Sequence, residues 1–261
     1  MTSPIEPRTA SLYHASRASA VEPRVAVGIV LAAIGSYLVA VSVVPARLWF
    51  VAAQLAMAMV AGAAVMIVHR PRPLAALGLR GARLRFFVAG IAVGATAWYL
   101  NATLVDWLFA KLALPREQAI HLQKLVDRPP LWRALAMFAM LPAVCEEIVF
   151  RGVLARSIGR RTSLIAAAAI SAAVFSAYHL SLVQALPTLT LGLVLAVIAI
   201  RADSIAPAVV AHALNNALAI AVSRGALPEL TGWLARHPIA GLVGCAVATA
   251  GGVVIAARGP T

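Results

Sequence analysis

Apolar runs of about 20 residues recur along the whole chain, with short polar connections between them. A run of this length crosses the hydrocarbon core of a bilayer as one α-helix, and in lipid only helices or closed barrels satisfy every backbone polar group. The composition agrees, because 62% of the 261 residues are hydrophobic and only 12% are charged. So little polar sequence cannot cover a soluble domain. We therefore predict an all-α fold, a polytopic bundle of transmembrane helices.

Eight segments are predicted to span the membrane. They are 25–44, 48–68, 86–105, 131–150, 163–182, 184–200, 205–223 and 239–257. The segment 184–200 is the weakest, because it follows its neighbour almost directly and contains Pro187.

Two further patterns help to place these segments. Residues 119–126 (AIHLQKLV) predict a short amphipathic helix on the membrane surface, which the Pro129-Pro130 pair would end. Gly90 and Gly94 form a GxxxG pattern, which we interpret as close packing between helices.

Basic residues are concentrated in the connections, and their distribution predicts the orientation. The side that carries the N-terminus has 14 of the 22 Lys and Arg residues, and the other side has 8. By the positive-inside rule the first side is cytoplasmic, and eight spans place both termini there. The net charge of +13 therefore reflects topology, and no basic stripe with interleaved aromatic residues indicates a nucleic-acid partner.

The first 24 residues are predicted to be a cytoplasmic tail. A secretory signal is not expected, because acidic residues precede the first apolar segment and that segment has full span length. Only two of the 22 basic residues are lysine. We interpret this bias toward arginine, together with abundant alanine, as bacterial, which predicts a multi-pass protein of the bacterial inner membrane.

Two adjacent glutamates, Glu146 and Glu147, lie near the end of the fourth predicted span. Ionisable residues inside a span are costly and mark a functional site by default. Arg151 follows Glu147 by four residues, so the two share a helix face, whereas Glu146 points about 100° away. An arginine partner favours the ionised carboxylate. We therefore interpret Glu147 as structural and charged, and Glu146 as an unpaired carboxylate that is available as a proton acceptor.

Two later spans carry the other unusual polar residues. His179 lies in the fifth span, and His212, Asn215 and Asn216 lie in the seventh. His212 and Asn216 are four residues apart and share a face, as do Phe175 and His179. Each residue alone is explained by packing or by hydrogen bonds between helices. Together they predict one shared intramembrane site, because each polar group needs a partner away from lipid.

Motifs of other intramembrane chemistries are absent from the sequence. There is no HExxH zinc motif, no GxSG-type serine and no GxGD-type aspartate. Cys145 and Cys245 give neither a disulfide framework nor zinc spacing. No histidine lies at helical spacing from Cys145, which we interpret as a small core residue.

Three motifs in a fixed order resemble those of a known family. They are EExxxR (Glu146, Glu147, Arg151), FxxxH (Phe175, His179) and HxxxN (His212, Asn216). Their order and spacing closely resemble the CPBP family, which comprises type II CAAX prenyl endopeptidases and bacteriocin-processing or immunity proteins. Gly152, directly after the arginine, also fits the resemblance, which covers about residues 131–222.

The resemblance implies an intramembrane protease of eight helices that cuts peptide bonds near the cytoplasmic face. The chain then divides into a tail (1–24), N-terminal helices with an outer loop (25–130), a catalytic core (131–222) and a C-terminal helix (223–261). A bacterial cell is not expected to make prenylated CAAX proteins. The expected partners are therefore the lipid bilayer and a membrane-associated peptide or protein substrate.

The resemblance also implies a role for each motif residue. Glu146 would activate the attacking water, and Glu147 and Arg151 would support it. His179 and Asn216 would stabilise the oxyanion, while His212 would hold or polarise the water. No role transfers to Asn215.

Metal dependence stays open at this point. Glu146, His179 and His212 could bind a divalent metal such as zinc and leave a position open for water. The same residues could act without metal through general-base and oxyanion catalysis, which the absence of HExxH slightly favours.

The predicted function is therefore an intramembrane endopeptidase that uses a glutamate-activated water. The alternative is a non-catalytic membrane protein, an immunity or secretion accessory factor, in which the same residues serve packing or partner binding. A transporter would predict repeat symmetry, and the sequence shows none.

Overall fold

The computed structural model describes residues 20–45, 47–69, 72–113 and 116–258. Most of the predicted tail, residues 1–19, lies outside these residues. Within them every regular element is a helix, which confirms the all-α prediction. Eight long helical segments match the eight predicted spans: α1 (Pro23–Val43), α2 (Trp49–Val68), α4 (Leu84–Lys111), α6 (131–158), α7 (Leu164–Tyr178), α8 (Leu182–Ala202), α9 (Ala206–Ser223) and α11 (Pro238–Ala257).

Six of these helices are long and apolar enough to cross a membrane: α1, α2, α4, α8, α9 and α11. The chain is therefore a multi-pass membrane protein. The apolar helix α7 has only 15 residues, and α6 is interrupted by irregular turns. The count of eight spans and the side of each terminus stay predictions.

Three short helices lie in the connections: α3 (Pro73–Ala76), α5 (Glu117–Asp127) and α10 (Pro228–Arg236). The predicted helix at 119–126 is confirmed as α5. The weakest predicted span is also helical, since α8 contains Pro187 in its second turn and continues to Ala202. Ser181 caps the start of α8, because its hydroxyl accepts a hydrogen bond from the N–H of Gln184.

Helix α6 does not end where the sequence predicted. Its α-helical parts, Leu131–Leu135, Leu141–Glu146 and Arg156–Ile158, alternate with π-helical stretches at Ala136–Met140 and Glu147–Ala155. The predicted span 131–150 and much of the predicted connection 151–162 are thus one helix. Placing the glutamate pair near the end of this helix was wrong, because Glu146 and Glu147 lie close to its middle.

The helix continues past residue 150 because two arginines that looked like loop charges are buried and paired. Arg151 is fully buried, and Arg156 is 5% exposed. The guanidinium of Arg156 donates hydrogen bonds to the carbonyls of Ala75 (3.0 Å) and Ala76 (2.8 Å) and to the carboxylate of Asp203 (2.7 Å). Asp203 is also paired with Arg80. These contacts hold the end of α6 against α3 and the turn between α8 and α9.

The orientation predicted from loop charges is the same when these two buried arginines are left out of the count. Without Arg151 and Arg156, the distribution becomes 12 basic residues on the side of the N-terminus and 8 on the other. The direction predicted by the positive-inside rule is therefore the same.

Glycines set the distance between α4 and α9. A Cβ at Gly94 would lie 2.4 Å from the carbonyl oxygen of Ala211, and one at Gly90 would lie 2.5 Å from that of Pro207. The GxxxG pattern is therefore a close packing surface, as predicted. Because Ala211 precedes His212, this contact places the histidine relative to the rest of the bundle.

The apolar core surrounds the middle of α6 on the side of α1, α2 and α7. Val149, Phe150, Val153 and Phe175 are all buried in it. Cys145 belongs to the same core and is 3% exposed, in agreement with its interpretation as a small core residue.

Candidate active site

Glu147 and Arg151 form a buried ion pair on α6. The Nη1 of Arg151 donates to Oε1 of Glu147 at 2.8 Å, and both side chains are fully buried. The Nη2 of Arg151 lies 3.3 Å from the carbonyl oxygen of Gly192 on α8 and donates to it. The predicted pairing is therefore present, and it also attaches α6 to α8.

His212 on α9 shares the same carboxylate oxygen. Its Nδ1 lies 3.0 Å from Oε1 of Glu147. A carboxylate accepts hydrogen bonds, so this contact assigns a proton to Nδ1 and turns Nε2 toward the rest of the site. Glu147 thus does more than the sequence predicted, because it orients His212 as well as pairing with Arg151.

Glu146 faces the other side of His212. Its Oε2 lies 3.8 Å from Nε2 of His212, and both side chains are almost completely buried. Its Oε1 accepts a hydrogen bond at 2.8 Å from Nε2 of Gln54, which lies on α2. The prediction that Glu146 has no partner was therefore wrong.

Sequence reasoning missed Gln54. The signal was available, because Gln54 is an amide inside a run that is otherwise apolar, WFVAAQLAMAMV. Its side chain is 1% exposed in the structure. No helical spacing connects it to the motif residues, so only the fold brings it to Glu146.

Phe175 on α7 lies between the charged and the imidazole groups. Its ring centroid is 4.3 Å from Cζ of Arg151, a cation–π contact. The ring also packs edge-on against the imidazoles of His179, with 4.8 Å between centroids, and His212, with 5.9 Å. Phe175 therefore contacts three of the motif residues at once, which is more than the ordinary packing role that its residue type suggests.

His179 ends helix α7, as the residue that follows Tyr178. Its Nδ1 lies 2.8 Å from the carbonyl oxygen of Phe175. Since a carbonyl only accepts, Nδ1 carries the proton and Nε2 is the nitrogen available for chemistry. The imidazoles of His179 and His212 both pack on the ring of Phe175, and His179 lies within electrostatic range of Glu146. The three residues therefore lie in one region, and their shared role as a site stays a prediction.

Asn216 on α9 is hydrogen bonded to the backbone of α6. Its Nδ2 donates to the carbonyl of Phe138 at 3.3 Å, within the first π-helical stretch. Asn215 does not point at this carbonyl but donates to Oδ1 of Asn216 at 3.2 Å.

A second carbonyl of α6 is satisfied in the same way. The hydroxyl of Ser171 on α7 donates to the carbonyl of Phe150 at 2.9 Å, within the second π-helical stretch. Side chains of α7 and α9 thus contact both π-helical stretches of α6. Glu146 ends the α-helical part between these stretches, and Glu147 begins the second one.

Comparison with known proteins adds one finding to this geometry. Residues 128–218 match the family model described as type II CAAX prenyl endopeptidase Rce1-like. This match supports membership of the CPBP family for residues 128–218, which are called the CPBP domain below. The domain contains every residue of the three motifs, from Glu146 to Asn216, whereas Gln54 lies outside it. No curated protein and no solved structure matches the chain.

The CPBP domain offers Glu146, His179 and His212 as ligands for a metal. Among the residues that the structure describes, no three His, Cys, Asp or Glu side chains are arranged to hold a metal ion. The hydrogen bonds to Glu146 Oε1 and His212 Nδ1 leave Oε2 and Nε2 free, and a carboxylate on Nδ1 is a usual partner of a metal-binding imidazole. It is therefore the placement of the side chains, and not the chemistry of their donor atoms, that does not fit a metal, and the mechanism below assigns no step to one.

Proposed function

We propose that the protein is an intramembrane endopeptidase of the CAAX-protease type, which hydrolyses peptide bonds of membrane-associated substrates with a water activated by Glu146. The observation that supports this function best is the pair of buried acceptors, Glu146 Oε2 and His212 Nε2, only 3.8 Å apart. Both belong to a domain that matches a peptidase family.

Two acceptors at this separation can hold one water molecule. A water about 2.8 Å from each would donate one proton to Glu146 and the other to His212. Its oxygen lone pair is then free to attack a carbonyl carbon. Glu147 keeps His212 in the tautomer that this arrangement needs, because it accepts the proton of Nδ1.

The reaction then needs one proton carrier. As the water oxygen bonds to the peptide carbonyl carbon, its proton passes to Oε2 of Glu146. When the C–N bond breaks, Glu146 returns that proton to the leaving amine nitrogen. General acid–base catalysis of this kind typically contributes about 10²–10⁴-fold to a rate.

In this proposal His179 and Asn216 stabilise the negative charge that develops on the carbonyl oxygen. Nδ1 of His179 already donates to Phe175, so His179 can donate to an oxyanion only as a doubly protonated imidazolium. Asn216 uses one amide proton on Phe138, and the second would serve the oxyanion. A preorganised donor such as the Asn216 amide is worth about 2.7–4 kcal/mol.

The substrate class and the location follow from the surroundings of the site. The site lies within a bundle of apolar helices, so its substrate is a peptide that is embedded in or anchored to the membrane. The excess of basic residues on the side of the N-terminus supports a cytoplasmic location for that side, and the membrane in this proposal is the bacterial inner membrane.

Comparing the peptide termini of wild-type and Glu146→Ala membranes tests this function. The wild type is expected to show new termini that the variant lacks, with the same amount of inserted protein in both. Glu229→Ala, which changes an exposed glutamate on α10, serves as the matched control and should keep the wild-type pattern. Identical termini in all three membranes would favour the non-catalytic immunity or secretion role, and retained cleavage in Glu146→Ala would refute the role of Glu146.

A further inference from the structure

Gln54 is a buried polar residue that the CPBP domain does not include. It lies on α2, 92 residues before Glu146 in sequence, and its Nε2 lies 2.8 Å from Oε1 of that glutamate. Neighbouring positions on the buried face of α2, among them Ala53, Met57 and Ala61, are apolar. An amide inside a membrane-spanning helix is costly without a role, so this contact calls for an explanation.

The rest of the Gln54 amide makes packing alone a poor explanation. Its Oε1 is buried and has no hydrogen-bond partner among the described residues. A leucine or methionine would fill the same space without leaving a buried acceptor unsatisfied. The N–H groups of the amide are therefore hydrogen bonded, while its oxygen is left without a partner.

We propose that Gln54 is a positioning residue for Glu146. A glutamate carboxylate turns easily about its last torsion, so packing alone does not decide which oxygen faces His212. A donor fixed on Oε1 does decide this, because it leaves Oε2 as the oxygen next to Nε2 of His212. The inference rests on the proposed function, in which Oε2 takes the proton of the water.

Two tyrosines fix the amide in turn. Nε2 of Gln54 also donates to the hydroxyl of Tyr178 at 3.4 Å, so its two protons have separate acceptors. The hydroxyl of Tyr178 is hydrogen bonded to Tyr37 on α1, and the two rings pack edge-on with 4.9 Å between centroids. A continuous polar chain thus runs from α1 through α7 and α2 to Glu146, and it holds the donor side of the amide toward the carboxylate.

The test compares three variants of α2 with the wild type. Gln54→Leu removes the donor, Gln54→Glu keeps the size but replaces the donor with an acceptor, and Met57→Leu changes a buried apolar residue one turn away. The rate is measured on a peptide substrate identified from the termini comparison, together with thermal unfolding of each purified variant.

Gln54→Leu is expected to lower kcat about 10–100-fold with KM within about twofold, since small misplacement of a catalytic group costs on this scale. Gln54→Glu is expected to lose at least as much, because two carboxylates would face each other. Met57→Leu should keep kcat within about twofold. A kcat for Gln54→Leu equal to that of Met57→Leu, a change in KM alone, or a loss explained wholly by less folded protein would overturn the proposal.

A second measurement does not depend on activity. Thermal unfolding of Gln54→Leu, Glu146→Leu and the double variant forms a cycle, and a hydrogen-bonded pair predicts that the double variant loses less than the sum of the two. Additive losses would contradict the pairing itself. Non-additive losses in a protein that cleaves no peptide would leave the contact standing and refute the proposed function instead.

Discussion

His212 Nδ1 lies 3.0 Å from Oε1 of Glu147, and Arg151 donates to the same oxygen at 2.8 Å. One fully buried carboxylate thus holds a cation on its own helix and an imidazole on another. Glu146, its neighbour in sequence, is held by a neutral amide and faces the other nitrogen of the imidazole. The two glutamates therefore have different partners, and substituting each one should change the stability of the protein by a different amount.

Glu147→Gln is expected to destabilise the protein far more than Glu146→Gln does. Removing the charge leaves Arg151 buried without a counter-ion, which typically costs about 3–5 kcal/mol. Thermal unfolding of purified variants measures the difference, with the exposed Glu229→Gln as the control. The double variant Glu147→Gln/Arg151→Met should be more stable than Glu147→Gln alone, because the buried arginine that lost its hydrogen-bonded counter-ion is then removed. A single variant as stable as the control would contradict the importance of the pair.

The contact between Asn216 and Phe138 predicts that Asn216 stabilises the packing of α9 on α6. Asn216→Ala should lower the free energy of unfolding by about 0.5–1.5 kcal/mol, because it removes this hydrogen bond. Thermal unfolding of the purified variant measures the loss, with the exposed Glu229→Gln as the control. Equal stability of the two variants would show that the contact does not stabilise the protein.

Cleavage measured beside stability separates the two roles of Asn216. If Asn216 also stabilises the oxyanion, Asn216→Ala should lose more activity than its loss of folded protein explains. Activity that falls only in proportion to the folded protein would limit Asn216 to its contact with Phe138.

Gly94→Ala is expected to push α4 and α9 apart. Its new Cβ would lie 2.4 Å from the backbone oxygen of Ala211, and backbone cannot give way as a flexible side chain does. Overpacking of this kind typically costs about 1–3 kcal/mol, and displacement of His212 should lower cleavage as well. Gly62→Ala on α2 is the control, because a Cβ there meets no atom within 4 Å. Equal stability of the two variants would show that the helices can separate freely.

Chelators are expected to leave cleavage unchanged under the proposed mechanism. No three metal-binding side chains among the described residues are arranged to hold an ion, and the proposed water needs only the two acceptors Glu146 Oε2 and His212 Nε2. Elemental analysis of purified active protein should find less than one metal ion per chain. Loss of cleavage on chelation, with recovery on adding zinc, would assign the activation of water to a metal instead.

Local spacing predicted the parts of the site that lie on one helix. The ion pair of Glu147 with Arg151 and the contact of Phe175 with His179 both follow from residues four apart. Contacts between helices could not be read in this way. Which glutamate faces His212 depends on how α6 and α9 pack, because either carboxylate is compatible with the motifs.

Charged residues also led to a wrong prediction where they are buried instead of exposed. Arg156 looks like one of several loop cations near a membrane surface, yet it is buried against Asp203 and two carbonyls. Since partners far away in sequence made that burial favourable, the predicted end of α6 was too early. Gln54 was missed for the same reason, because its partner Glu146 is far away in sequence and only the fold brings the two together.

The two π-helical stretches of α6 make its length as important as its composition. Each wide turn accommodates one residue more than an α-helical turn does. Deleting one residue from Ala136–Met140 would let that turn tighten to an α-helical one, and the residues on either side would keep nearly their present directions. A deletion from the α-helical part Leu141–Glu146 has no wide turn of its own to tighten and would rotate the following residues by about 100° relative to those before it. Glu147 and Arg151 would then face away from α9 with no side chain changed. Whether this helix accepts a change of one residue in length therefore depends on where along it the change falls.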